Sequence, residues 1–315
     1  MTLPFAVRLR AHSAGMEELA HRVLAGGRDA ADLLALAHGP LPVLGTLVAA
    51  VAPKEAAVVG LLPVRLGADV AETVEKALAH RAAAEAEVID LAATAPCTTG
   101  ALDQACEVVR RLLAQLPGAT ARIDEASLHA LAAGAGIGPD GAAARLAQAG
   151  FSLVTAARIP GALQLASEGT GSLPVRESWE VPSQIDERFV QALLAGPRRP
   201  LFLKASRDTT GIVLLRAVAL ARLAGHGPIA VGGEDELKGP DACLSYGADT
   251  LEAALDPAGA MGSRTRSYGE AAVRGAQLAL LPPKRRMAPG KKAAHILDEK
   301  VDASLLPGGD AEEIH

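Results

Sequence analysis

Cysteine is scarce: the chain has three in 315 residues, Cys97, Cys106 and Cys243. That is too few for a disulfide framework, and no two of them have the Cys-x2–4-Cys spacing of a structural zinc site. Aromatic residues make up only 2% of the chain, so the core has to be built from Ala, Leu and Val, which favours helices packed closely on aliphatic strands. There is no excess of base either. With 31 Lys and Arg against 36 Asp and Glu, the formal charge is −5, and no broad basic surface is expected for nucleic-acid phosphates. The longest apolar run, Leu41 to Ala52, is flanked by prolines and is too short to span a bilayer. Arg8 and Arg10 follow the apolar opening residues, the reverse of a secretory signal's charge order, and a reducing cytoplasm is the expected compartment. The eight histidines include no His-x-Glu or His-x3-His pattern, which gives a zinc or di-iron centre no support. Phosphate-loop and dinucleotide fingerprints are absent as well.

What is present is an apolar half of the chain, 50% hydrophobic, ample for a large core. Short apolar runs alternate with amphipathic stretches of helix length, the pattern of a parallel sheet. Six strands are predicted, at Ala56–Val64, Glu87–Ala93, Thr120–Asp124, Phe151–Ala157, Pro200–Ser206 and Gly227–Gly233. Apolar residues from Met16 to Val51 predict a helical preface, and Asp69 is placed to cap the helix after the first strand. A stretch rich in Gly, Ser and Pro, Gly161 to Pro182, reads as an excursion that interrupts the rhythm. After Lys284 a basic cluster gives way to an acidic one, with little to bury, and a flexible charged tail is expected. The expected organisation is a preface at 1–55, a partial (β/α)6 TIM-like barrel at 56–283 and a tail at 284–315.

Three segments then carry a likeness: His129–Gly150, HALAAGAGIGPDGAAARLAQAG; Thr209–Gly225, TTGIVLLRAVALARLAG; and Ala242–Leu255, ACLSYGADTLEAAL. Together with DVAETVEKALAHRAA and EVIDLAA, and in this order, they resemble the radical S-adenosylmethionine enzymes of the futalosine route to menaquinone, aminofutalosine synthase and dehypoxanthine futalosine cyclase. The likeness covers roughly Met16 to Leu255. It implies a barrel whose active face lies at the strand C-termini, and it implies three cysteines after the first strand to hold a [4Fe–4S] cluster. Here that strand runs through LLPVRLGAD straight into its helix, with no cysteine between Met1 and Pro96. The Gly-Gly pair the family has after its second strand is replaced by LAATAPC, and the loop after strand five is reduced to SRDTT. Neither a [4Fe–4S] cluster nor bound S-adenosylmethionine is expected, and no other cofactor.

The polar residues at strand ends are the remaining candidates. Lys204, Arg207 and Asp208 close strand five, where Lys204 could form a Schiff base or bind a carboxylate if directed inward; the plainer alternative is a surface turn. Gly232 and Gly233 could present amides to an anion or simply make a tight turn. Glu168 and Trp179 lie in the excursion, Trp179 as a lid or interface anchor or as a stacking surface for a ligand. The expected function is that of a cluster-less, non-catalytic relative of the menaquinone-pathway enzymes that acts by binding, first as the heteromeric partner of an intact homologue and second as a holder of a futalosine-like metabolite in the old cavity. The alternative is a barrel enzyme of lyase or aldolase type that uses Lys204, Arg207 and Asp208.

Overall fold

The computed structural model describes residues 3–52, 55–79, 83, 86–158, 172–195, 200–205, 208–233, 240–254 and 279–280. Four short helices come first: α1 (Phe5–Ser13), α2 (Glu17–Leu24), α3 (Ala30–His38) and α4 (Leu41–Ala49). Then follow β1 (Glu55–Arg65), α5 (Val70–Ala79), β2 (Val88–Ala92), α6 (Ala101–Gln115), β3 (Thr120–Asp124), α7 (Glu125–Ala135), α8 (Pro139–Ala149) and β4 (Phe151–Arg158). The second half contains β5 (Val175–Val181), α9 (Glu187–Ala195), β6 (Leu201–Ala205), α10 (Gly211–Ala224), β7 (Ile229–Gly233), α11 (Pro240–Ser245), β8 (Thr250–Ala254) and β9 (Ala279–Leu280).

Each strand from β1 to β8 pairs in parallel with the next, and β8 pairs back onto β1 from Ala57↔Thr250 to Leu61↔Ala254. The result is a closed eight-stranded parallel barrel, with β9 added beside the start of β1. This corrects the expectation of a partial (β/α)6 barrel. All six predicted strands are present, and β5 and β8 were overlooked. Both carry charge where a buried strand is expected to be apolar: β5 reads VRESWEV and β8 reads TLEAA. Parallel strands covered on both faces are ordinarily apolar throughout, so β5 is hidden in the polar excursion before Pro182 and β8 offers no continuous apolar run. The predicted tail, 284–315, lies outside the described residues.

The helices follow from local chemistry. Asp69 accepts from the Glu72 amide at 3.0 Å and so caps α5 as predicted, Asp124 caps α7, and the Thr210 hydroxyl caps α10. Apolar residues fill the space between barrel and helices as two clusters. One joins β1–β4 to α5–α8 through Leu62, Ile89, Leu102, Leu112, Ile123 and Leu146. The other joins β5–β8 to α9 and α10, then continues outward into the preface through Leu33, Leu36, Leu44 and Leu47. The preface is therefore a second helical layer on the barrel, sharing a core with it. Arg216 of α10 donates to the carbonyls of Ala37 and Gly39, tying the end of α3 to the barrel's outer shell.

Candidate functional site in the barrel lumen

Side chains alternate across each strand. Because Leu91, Ile123, Trp179, Leu203, Val231 and Leu251 belong to the outer clusters, their neighbours Asp90, Arg122, Ser178, Glu180, Phe202, Lys204, Gly232 and Glu252 face the lumen. A (β/α)8 barrel normally fills this space with branched apolar side chains. Here the middle of the lumen is ionic.

Glu252 is its centre, a carboxylate on a residue only 4% exposed. Arg122 donates to it from Nη1 at 2.6 Å, and Arg176 donates from Nη2 at 3.2 Å and also from Nη1. Arg122 turns its other edge to Asp90, with Nε and Nη2 each 2.9 Å from a carboxylate oxygen. This bidentate arrangement is the strongest geometry available to an arginine–carboxylate pair. The Arg176 guanidinium lies over the Phe202 ring, 4.9 Å from its centroid. Burial pushes the Glu252 carboxyl up, but the charges and hydrogen bonds of the two arginines outweigh it and hold the group below its ordinary value. Burial likewise opposes the charge on Arg122; Asp90 and Glu252 overcome it and raise the guanidinium further. The four residues form one ion network that joins β2, β3, β5 and β8 across the lumen.

Toward the strand C-termini the lumen opens. Pro63, Ala92, Ala157 and Glu180 are exposed there. Lys204 is half-buried on the lumen face and is the register partner of Glu180 and Gly232. Gly232 leaves room for its neighbours: a Cβ there would lie 2.8 Å from the Glu252 carbonyl and 3.0 Å from the Phe202 ring.

The predicted site residues separate cleanly. Lys204 and Gly232 reach the lumen. Asp208 is an exposed turn residue, and next to it the buried Thr209 hydroxyl donates to the Val181 carbonyl at 2.6 Å. Trp179 is 4% exposed and faces away from the lumen, edge-on to Phe189 and His226, with its indole N–H donating to Glu177 at 3.0 Å. It is a core residue, neither a lid nor a ligand-stacking surface. Gly233 ends β7, while Arg207 and Glu168 lie outside the described residues. Sequence reasoning missed Asp90, Arg122, Arg176 and Glu252. The available signal was a charge at the centre of three five-residue strands, VIDLA, TARID and TLEAA, and a fourth near the start of VRESWEV.

The end of β1 is where the resemblance implies a cluster. Four residues, Leu66–Asp69, join β1 to α5. The Gly67 amide donates to the Thr73 hydroxyl, which itself donates to the Asp69 carbonyl at 2.6 Å. The adjoining cleft, about 300 Å³, is lined by Arg65, Gly67, Glu72, Thr73 and Lys76 among others. Carboxylate, hydroxyl and amine groups do not fit an iron–sulfur cluster, which takes thiolates. The three cysteines are elsewhere: Cys97 after β2, Cys106 in α6 and Cys243 in α11. Among the described residues no group of three or more His, Cys, Asp or Glu is arranged to hold a metal ion.

No protein-family model and no curated protein matches the chain. Solved structures do. The [FeFe]-hydrogenase maturase HydG from Carboxydothermus hydrogenoformans aligns with a TM-score of 0.54, covering 78% of this chain and 73% of that one at 13% identity. Methylornithine synthase (PylB) aligns at 0.51, covering 74% and 85% at 11% identity. This chain shares their barrel fold. At such identities the likeness extends to architecture alone. The motif residues quoted above have structural work in this chain: Arg222 donates to the Gly247 carbonyl at 2.8 Å and pairs with Asp249, which accepts from the Ile229 amide. None of the described helices is long and apolar enough to cross a membrane.

Proposed function

We propose that this chain is a cluster-free, non-catalytic relative of the futalosine-pathway radical enzymes that acts by binding, as the partner of an intact homologue. The observation that carries this reading is the four-residue connection after β1, which supplies no thiolate where such an enzyme anchors its cluster. A second feature supports a partner in particular. Phe5 and Leu9, one turn apart on α1, are 71% and 59% exposed, while Val7 and Ala11 of the same helix are buried in the core. Large apolar side chains held outward on an ordered helix suit a protein contact.

Co-expression with the intact homologue from the same genome, followed by size-exclusion chromatography with light scattering, tests the reading. A heteromer should form, and Phe5→Asp with Leu9→Asp should dissolve it; two proteins that elute separately sink the idea.

The rival reading is a lyase or aldolase that uses Lys204 with Arg207 and Asp208. What favours it is the lumen-facing position of Lys204. Borohydride reduction in the presence of small aldehydes and ketones would trap an imine at Lys204 in such an enzyme, visible as a mass increase on the peptide that contains it. An unmodified Lys204 peptide across the carbonyl panel argues against this reading.

A further inference from the structure

Two buried polar atoms of the lumen have no hydrogen-bond partner among the described residues: the Thr155 hydroxyl oxygen and Arg176 Nε. They are neighbours. Thr155 and Arg176 are register partners on β4 and β5, which places their side chains at one level of the lumen, on strands about 4.8 Å apart. An unmet buried donor is costly, and the two atoms do not satisfy each other, although one acceptor set between the two strands could serve both. The surrounding groups do not supply it, because the carboxylates of Glu252 and Asp90 are already engaged by Arg176 Nη1 and Nη2 and by Arg122.

Charge indicates what the acceptor is. In the most buried layer two guanidinium groups, on residues 6% and 8% exposed, face the one fully buried carboxylate of Glu252. The second carboxylate, on Asp90, is 36% exposed and is taken up by Nε and Nη2 of Arg122. Lys204 adds another cation on the same face, with Glu180 beside it at the exposed mouth. The unmet Nε–H belongs to a charged guanidinium, and a hydrogen bond from such a donor is stronger to an anionic oxygen than to a neutral one. Phe202 fixes the plane of the Arg176 guanidinium from one side, so its free N–H has a set direction. Access is from above, past the exposed Ala157.

We propose that the lumen is a binding site for a small oxyanion, a carboxylate or phosphate group, one oxygen of which accepts from both Arg176 Nε–H and the Thr155 hydroxyl. The site does not depend on the partner reading, and it needs no covalent step.

The test uses the full chain, with inorganic phosphate and acetate as separate probes against chloride at equal ionic strength. The thermal midpoint and titration calorimetry are the readouts, and Trp179 emission confirms folding. One probe or both should bind saturably, and Thr155→Val, which keeps the shape and removes the hydroxyl, should weaken that binding about tenfold or more. Thr155→Ser should restore it. Binding of phosphate alone or acetate alone identifies which group the site accepts. No saturable binding of either probe, or binding equal in Thr155→Val, overturns the proposal and assigns the two unmet atoms to ordinary water.

Discussion

Glu252 decides the electrostatics of this molecule at the scale of single residues. Removing one member of a buried ion pair leaves the other charged and unsolvated, at a cost of about 3–5 kcal/mol. Glu252→Gln removes the carboxylate that Arg176 pairs with and leaves Arg122 on Asp90 alone, and urea unfolding followed by Trp179 emission should record a loss of that size. The acid limb should change as well. Because the folded-state carboxyl lies below its ordinary value, its stabilisation is complete above the unfolded glutamate value of about 4.3. It is lost as pH falls from there through the folded-state value. The wild-type chain should therefore lose stability on acidification faster than Glu252→Gln, and parallel acid limbs would contradict the assignment. The cysteines provide a second check. Burial raises the Cys106 thiol above its ordinary value and Cys243 is fully covered, while Cys97 sits part-exposed in a connecting segment. Brief alkylation of the native protein should modify Cys97 well before the other two, as read by peptide mass spectrometry.

The individual strands explain how much could be read in advance. Six were legible because residues such as Val58, Leu62 and Ile89 form continuous apolar runs bounded by turn signals, and Asp69 marks a helix start through ordinary capping chemistry. β5 and β8 were illegible for one shared reason. Arg176 and Glu252 satisfy each other only when eight strands close the ring, and a pairing between residues 76 apart leaves no local pattern. The candidate site suffered the same way. Lys204 was visible because it ends a clear strand, whereas the network needs partners from four strands. Gly232 offers a test at this scale. A larger residue would press on the Phe202 ring and the Glu252 carbonyl, so Gly232→Val should destabilise the chain by about 1–3 kcal/mol. A Gly232→Val protein as stable as wild type would mean the ring can swing away.

For the molecule as a whole, the preface is part of the fold. Leu33, Leu36, Leu44 and Leu47 are buried in the same cluster as Phe189, Leu214 and Leu220 of the barrel's helices, and each fully buried leucine contributes about 1.5–3 kcal/mol. A chain that starts at Glu55 should expose that face and aggregate or bind an apolar dye such as ANS, and a monomeric, cooperatively unfolding product would contradict this. The closing seam of the barrel has a consequence of another kind. The ladder that pairs Ala57 with Thr250 and Leu61 with Ala254 unites an early strand with a late one, so during synthesis β1 must wait until β8 leaves the ribosome. Nascent chains arrested upstream of β8 would hold an open sheet edge, a natural target for chaperones, and the ring would snap shut late and slowly, as contacts of long sequence separation do.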